Sequence, residues 1–199
     1  MEIETMPPGR PKAFDSTEAL RAALQVFWAK GFDATSIGDL TEATGLGRQS
    51  LYNEFGDKQQ LFAAAIQNYR ECETAYMVSL LSGNGTAREK IREFFRVALD
   101  SHCSGNQRGC FLTSSIAIRS NDDPEMAKLM DRAVDTLRQA FIDCVREGID
   151  RGEISSEKDP EALGMLFFTQ SQGVSIVGKC QRNREVLNRS IESLLTALD

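Results

Sequence analysis

The chain has 199 residues, 41% of them hydrophobic, with 23 Lys and Arg against 29 Asp and Glu and a formal net charge of -6. That composition supports a packed core and excludes a wholly disordered chain, and no apolar run reaches the length of a membrane span. The acidic balance argues against a broad polyanion-binding field, although nucleic-acid contact needs only a local arrangement of donors.

Five scattered cysteines (Cys72, Cys103, Cys110, Cys144 and Cys180) are odd in number and contain no CxxC pair. Free thiols in a reducing compartment fit them better than a disulfide framework. The opening "MEIETMPPGRPKAFD" lacks the basic start and apolar middle of a signal peptide, so a cytoplasmic protein is expected.

Pro7, Pro8 and Pro11 keep the first dozen residues extended. Asp15 or Ser16 caps a first helix, with Glu18 three residues beyond Asp15. Leu20, Ala23, Leu24, Phe27 and Trp28 recur at helical spacing, and Gly31 ends the run. Thr35 or Ser36 caps a second helix carrying Ile37, Leu40 and Ala43, which stops at Gly45. The stretch "GLGRQSLYNEF" supplies a third helix of barely two turns. From Gly56-Asp57 a long fourth helix carries Leu61, Phe62, Ala65, Ile66 and Tyr69 in one stripe, extended toward Tyr76 and Leu80.

"SGNG" from Ser82 is a loop, and Ile91, Phe94, Phe95, Ala98 and Leu99 mark a fifth helix. Residues 110–118 read as a short buried helix. After Pro124 a long amphipathic helix runs to near Gly152. Another runs from about Pro160 to Lys179 and is apolar on most of its circumference; a last one runs from Arg184 to Leu198. The expected fold is all-α with about nine helices. It divides into an N-terminal arm (1–14), a three-helix unit (15–57) and a larger helical domain (58–199).

The second and third helices form a pair with a specific layout. Leu40 faces a core, Gly45 turns the chain, Leu46 reinserts, and Leu51 and Phe55 bury the inner face of the next helix. Arg48, Gln49, Ser50 and Asn53 are left outside. This is a helix-turn-helix: a bracing helix, a glycine turn and a second helix displaying polar side chains. Arg pairs bidentately with guanine and Gln with adenine. Thr35 and Ser36 stand at a helix N-terminus suited to phosphate, Lys58 adds a charge at the next one, and Tyr52 carries a hydroxyl. Arg10 and Lys12 in "GRPK" form an extended basic arm suited to a minor groove, or an incidental charged tail.

The segment from Phe27 to Phe62, "FWAKGFDATSIGDLTEATGLGRQSLYNEFGDKQQLF", resembles the DNA-binding domain of the TetR family of bacterial transcriptional regulators. The matching positions are Gly31-Phe32, Thr35-Ser36-Ile37, Leu40, Gly45-Leu46, Leu51-Tyr52, Phe55, Lys58 and Leu61. The resemblance implies a homodimer paired through its last two long helices, a double-stranded operator, and a small-molecule inducer in the C-terminal domain. It carries DNA contacts over to Ser36, Arg48, Gln49, Ser50, Tyr52 and Lys58. Gly38 and Glu54 depart from the pattern: one withholds a contact and the other brings a negative charge. The first 58 residues hold six Lys and Arg against nine Asp and Glu.

For the ligand side, His102, Cys103, Cys110, Phe111, Phe167, Gln170 and Ser171 are the candidates, a few polar groups among apolar ones. His102, Cys103 and Cys110 are an incomplete metal set, so no metal and no cofactor is expected. Cys110, near Arg108 at a helix start, offers an alternative trigger, a thiol sensor of redox state or electrophiles. One His and no nucleophile or phosphate-loop motif leave little for catalysis. A helical small-molecule-binding protein or enzyme with a non-functional helix-turn-helix is the remaining alternative.

Overall fold

Helices in this chain begin where a short polar side chain closes the open amide groups and end where glycine turns the backbone. The computed structural model describes residues 14–103, 109–111, 113–114, 124–178 and 183–199, and among these every regular element is helical. In α1 (Ser16–Lys30) Asp15 rather than Ser16 takes the cap, its carboxylate accepting from the amides of Thr17 and Glu18. Ser36 caps α2 (Ile37–Thr44) in a reciprocal box with Asp39. Gly45 then adopts φ 68, the left-handed conformation that costs glycine little, and α3 (Arg48–Phe55) begins three residues on. Asp57 and Gln60 form a second reciprocal box at the start of α4 (Lys58–Tyr69).

These four helices enclose one apolar cluster. It contains Ala23, Leu24 and Phe27 of α1, Leu40 of α2, Leu51 of α3, and Leu61, Phe62, Ala65, Ile66 and Tyr69 of α4. Packing therefore carries the N-terminal core past residue 57 and through the whole of α4. Phe111 completes the cluster from far along the chain, its ring 5.6–5.9 Å from those of Trp28, Phe62 and Tyr69.

The fourth helix continues through a π turn (Arg70–Thr74) into α5 (Ala75–Ser82). A π turn takes in one extra residue and rotates the following face. The apolar stripe expected to run on to Tyr76 and Leu80 is displaced accordingly: Tyr76 is 53% exposed, while Thr74 and Leu81 are buried.

The second, larger cluster is built by α5, α6 (Ala87–Cys103), α7 (Pro124–Asp150), α8 (Pro160–Val177) and α9 (Arg184–Leu195), which ends in a 3-10 turn (Thr196–Leu198). Phe94, Phe95, Phe141 and Phe167 meet at its centre, mostly edge to face or tilted, with Phe141 and Phe167 stacked. α7 and α8 pack along much of their length and lie close together at Gly164, where an added Cβ would lie 2.8 Å from the backbone of Ile142. Lys90 of α6, its side chain almost wholly buried, donates to Glu147 of α7 at 2.6 Å.

Candidate nucleic-acid interface

The outer face of α3 follows from which of its residues the core takes. Leu51 is buried and Phe55 packs against the same cluster, so Arg48, Gln49, Ser50 and Asn53 are left exposed on the opposite side. Two contacts one helical turn apart organise that face. The Arg48 guanidinium stands 5.7 Å from the centre of the Tyr52 ring, and Gln49 Nε2 donates to Asn53 Oδ1 at 2.9 Å. Gly47 caps the helix with no side-chain bond, leaving its first amides unclosed by any side chain.

Glu54, a negative charge on a face expected to meet phosphate, is turned aside. Ser16 Oγ donates to its carboxylate at 2.6 Å, tying the end of α3 to the start of α1. Gly38 lies exposed on α2, and a Cβ there would meet nothing nearer than Ser36 Oγ at 3.5 Å.

Other candidates point inward. Thr35 is buried, and its hydroxyl donates to the Gly31 carbonyl at 2.6 Å, so it braces the turn between α1 and α2 from within instead of facing the surface. Lys58 Nζ donates to the carbonyls of Phe32 and Thr35 at 2.9 and 3.0 Å and lies 4.3 Å from the centre of the Phe32 ring. Its ammonium group is engaged by the same turn. Ser36 is exposed, but its hydroxyl already donates to Asp39 at 2.9 Å. Asp39 also accepts from Lys30 at 2.6 Å and from the Ser36 amide at 2.9 Å. The Lys30 hydrogen bond is the largest cause that brings the Asp39 carboxyl down to about 2. Arg10 and Lys12 lie outside the described residues.

Of the ligand candidates, the side chains of His102 and Cys103 are outside the described set. Phe167, fully buried, stacks on Phe141 in the larger core, and Phe111 belongs to the smaller one. Ser171 is buried with its hydroxyl donated to the Phe168 carbonyl at 2.6 Å, and Gln170 is half-buried. Gln172 of the same helix reaches the segment after Gly109, its Oε1 accepting from Thr113 at 2.7 Å.

Cys110 sits in the seam between the two cores. Its amide donates to Ser175 Oγ of α8 at 2.7 Å, and the Tyr69 hydroxyl of α4 donates to its sulfur at 3.6 Å. Burial is the main cause that holds the Tyr69 phenol well above its ordinary value, so it stays a neutral donor. Periodicity had no means of finding Tyr69 and Ser175 here, since each reads as one more position on a helix.

The family model described as "Bacterial regulatory proteins, tetR family" matches residues 19–65, and that described as "Tetracyclin repressor-like, C-terminal domain" matches residues 87–194. The HTH-type transcriptional repressor ComR of Escherichia coli (strain K12) is 32% identical over 173 residues, covering 84% of this chain and 81% of its own. The uncharacterized HTH-type transcriptional regulator YezE of Bacillus subtilis (strain 168) is 29% identical over 193 residues, covering 96% of this chain and all of its own. A solved structure of the TetR family transcriptional regulator CifR, a cysteine mutant complexed with 26-bp double-strand operator DNA, superposes with a TM-score of 0.87. It is 30% identical and covers 96% of this chain and 100% of its own.

Proposed function

We infer the function from family and geometry together: this chain belongs to the TetR family of bacterial regulatory proteins and is a DNA-binding transcriptional regulator. Our reading is a cytoplasmic repressor that binds a partly palindromic operator as a homodimer and is released by a small molecule. The outer face of α3 is the observation that carries it. Four polar side chains stand there on a helix whose inner face is locked by Leu51, and the one acidic residue of that helix, Glu54, is drawn off by Ser16. Such a helix enters a major groove, and a two-fold dimer sets two of them about one helical turn of DNA apart. The arm with Arg10 and Lys12 follows the adjoining minor groove.

The second copy docks on α8 and α9. Met165, Leu166, Ile176 and Val177 of α8 and Val186 of α9 are large apolar side chains left 39–54% exposed. An apolar face of this kind on the last two long helices fits a self-complementary interface.

An inducer shifts the regulator only through unequal affinity for its DNA-bound and free forms. The seam of Tyr69, Cys110 and Ser175 supports coupling, because it touches α4 of the DNA-binding half and α8 of the dimer half. A reversible ligand and a modification of the Cys110 thiol would act on the same joint.

The test is a gel shift with the operator upstream of the protein's own gene or its neighbours. Arg48→Ala combined with Gln49→Ala is expected to lower specific affinity at least about a hundredfold, with the dimer unchanged in gel filtration. Undiminished operator binding by that variant would remove the assignment of α3 as the reading helix.

A further inference from the structure

We propose that Asn53 orients the Gln49 amide so that Gln49 reads one adenine in each operator half-site. This rests on the DNA-binding reading above and names the base that it leaves open. Gln49 and Asn53 are both exposed on the outer face of α3, and Gln49 Nε2 donates to Asn53 Oδ1 at 2.9 Å.

A free glutamine amide has two orientations of similar energy, related by a half-turn about its last torsion, which exchange its donor and acceptor ends. Only one suits a given base edge. In the major groove adenine presents the N7 acceptor beside the N6 amino donor. A glutamine matches it when its oxygen accepts from N6 and one amide hydrogen goes to N7.

The bond to Asn53 selects the orientation. Asn53 turns its Oδ1 toward Gln49, and in that arrangement Nε2 is drawn to the oxygen while Oε1 points away. One Nε2 hydrogen is used. The other lies beside Oε1, and together they form a donor–acceptor edge complementary to adenine. Guanine turns two acceptors, N7 and O6, to the same edge, and O6 would face Oε1. Cytosine and thymine each offer a single hydrogen-bonding group.

The neighbours leave this pair undisturbed. Glu54, the nearest competing acceptor in sequence, is held by Ser16, and Arg48 is drawn over Tyr52 along the next row of the helix. Asn53 thus acts as a positioning residue, while the base contact belongs to Gln49.

The experiment is in vitro selection from randomised double-stranded DNA with the full-length protein and three variants, Gln49→Ala, Asn53→Ala and Asn53→Asp. Wild type is expected to enrich half-sites with an adenine at one fixed position. Gln49→Ala should lose the preference at that position. Asn53→Ala should weaken it by about three- to tenfold at the same position and nowhere else, with an unchanged Tm. Asn53→Asp keeps the accepting oxygen and should keep the adenine, at lower overall affinity because its charge faces phosphate.

The proposal is overturned if the two alanine variants relax different positions, if Asn53→Ala leaves the Gln49 position intact, or if that position selects another base. Enrichment of no sequence at all by wild type would overturn the DNA-binding reading beneath it, a separate and recognisable failure.

Discussion

Residues expected to meet DNA divide by what else they can bond. Arg48, Gln49, Ser50 and Asn53 stay outside because Leu51 is the only residue of α3 fully buried. Thr35 and Lys58 share the family pattern yet turn inward, because the turn between α1 and α2 has carbonyls at Gly31, Phe32 and Thr35 that need donors. Asp39 is the hinge of this local network. Its carboxyl is brought down to about 2 by Lys30 and Ser36, so the set of bonds it accepts is complete above the ordinary carboxylate value. It is lost only as pH falls through about 2. Asp39→Asn is therefore expected to melt below wild type at neutral pH. The gap should shrink as pH drops below about 4 and close near 2, as followed by thermal melts across pH. A gap that is constant down to pH 2 would assign the effect to shape instead of charge.

Cap chemistry places most helix ends within reach of the sequence, because a cap and its partner lie two or three residues apart. Ser36 with Asp39, Asp159 before Pro160, and Asn183 before Arg184 are examples. The π turn at Arg70–Thr74 has no such mark. Its effect, Tyr76 outside and Leu81 inside, reads from the sequence as an ordinary continuation of the helix. The crossing of α7 and α8 is likewise invisible in periodicity, since it depends on the absence of a side chain at Gly164. Gly164→Val places a branched side chain against the Ile142 backbone and should cost about 3 kcal/mol, read as a lowered denaturation midpoint. Gly38→Val, at an open position, serves as the control and should change it far less.

The described residues form two cores joined by one rod, and a plug completes the smaller core. The rod is α4 with its π turn and α5, and the plug is Phe111, set among Trp28, Phe62 and Tyr69. The apolar face on α8 and α9 lies on helices of the larger core and is exposed. Ile176→Glu combined with Met165→Glu, both at exposed positions, is expected to shift the protein from dimer to monomer in sedimentation velocity while leaving its helical signal intact. Specific DNA binding should fall with it, because two half-sites bound by one rigid dimer gain from avidity that a monomer forfeits. A dimer that survives both substitutions would place the interface elsewhere.

By itself the sequence determined the all-α class, the helix boundaries set by local caps, the helix-turn-helix and the identity of its outer residues. Those features depend on neighbours within one or two turns, where spacing and side-chain chemistry are enough. Only the tertiary structure decided that Glu54 is held by Ser16, that Lys58 serves the α1–α2 turn, and that Cys110 joins Tyr69 to Ser175. These contacts join residues 23 to 65 positions apart. Which of several equivalent polar groups meets which is fixed by the packing of the two cores around them, and that packing has no local signature.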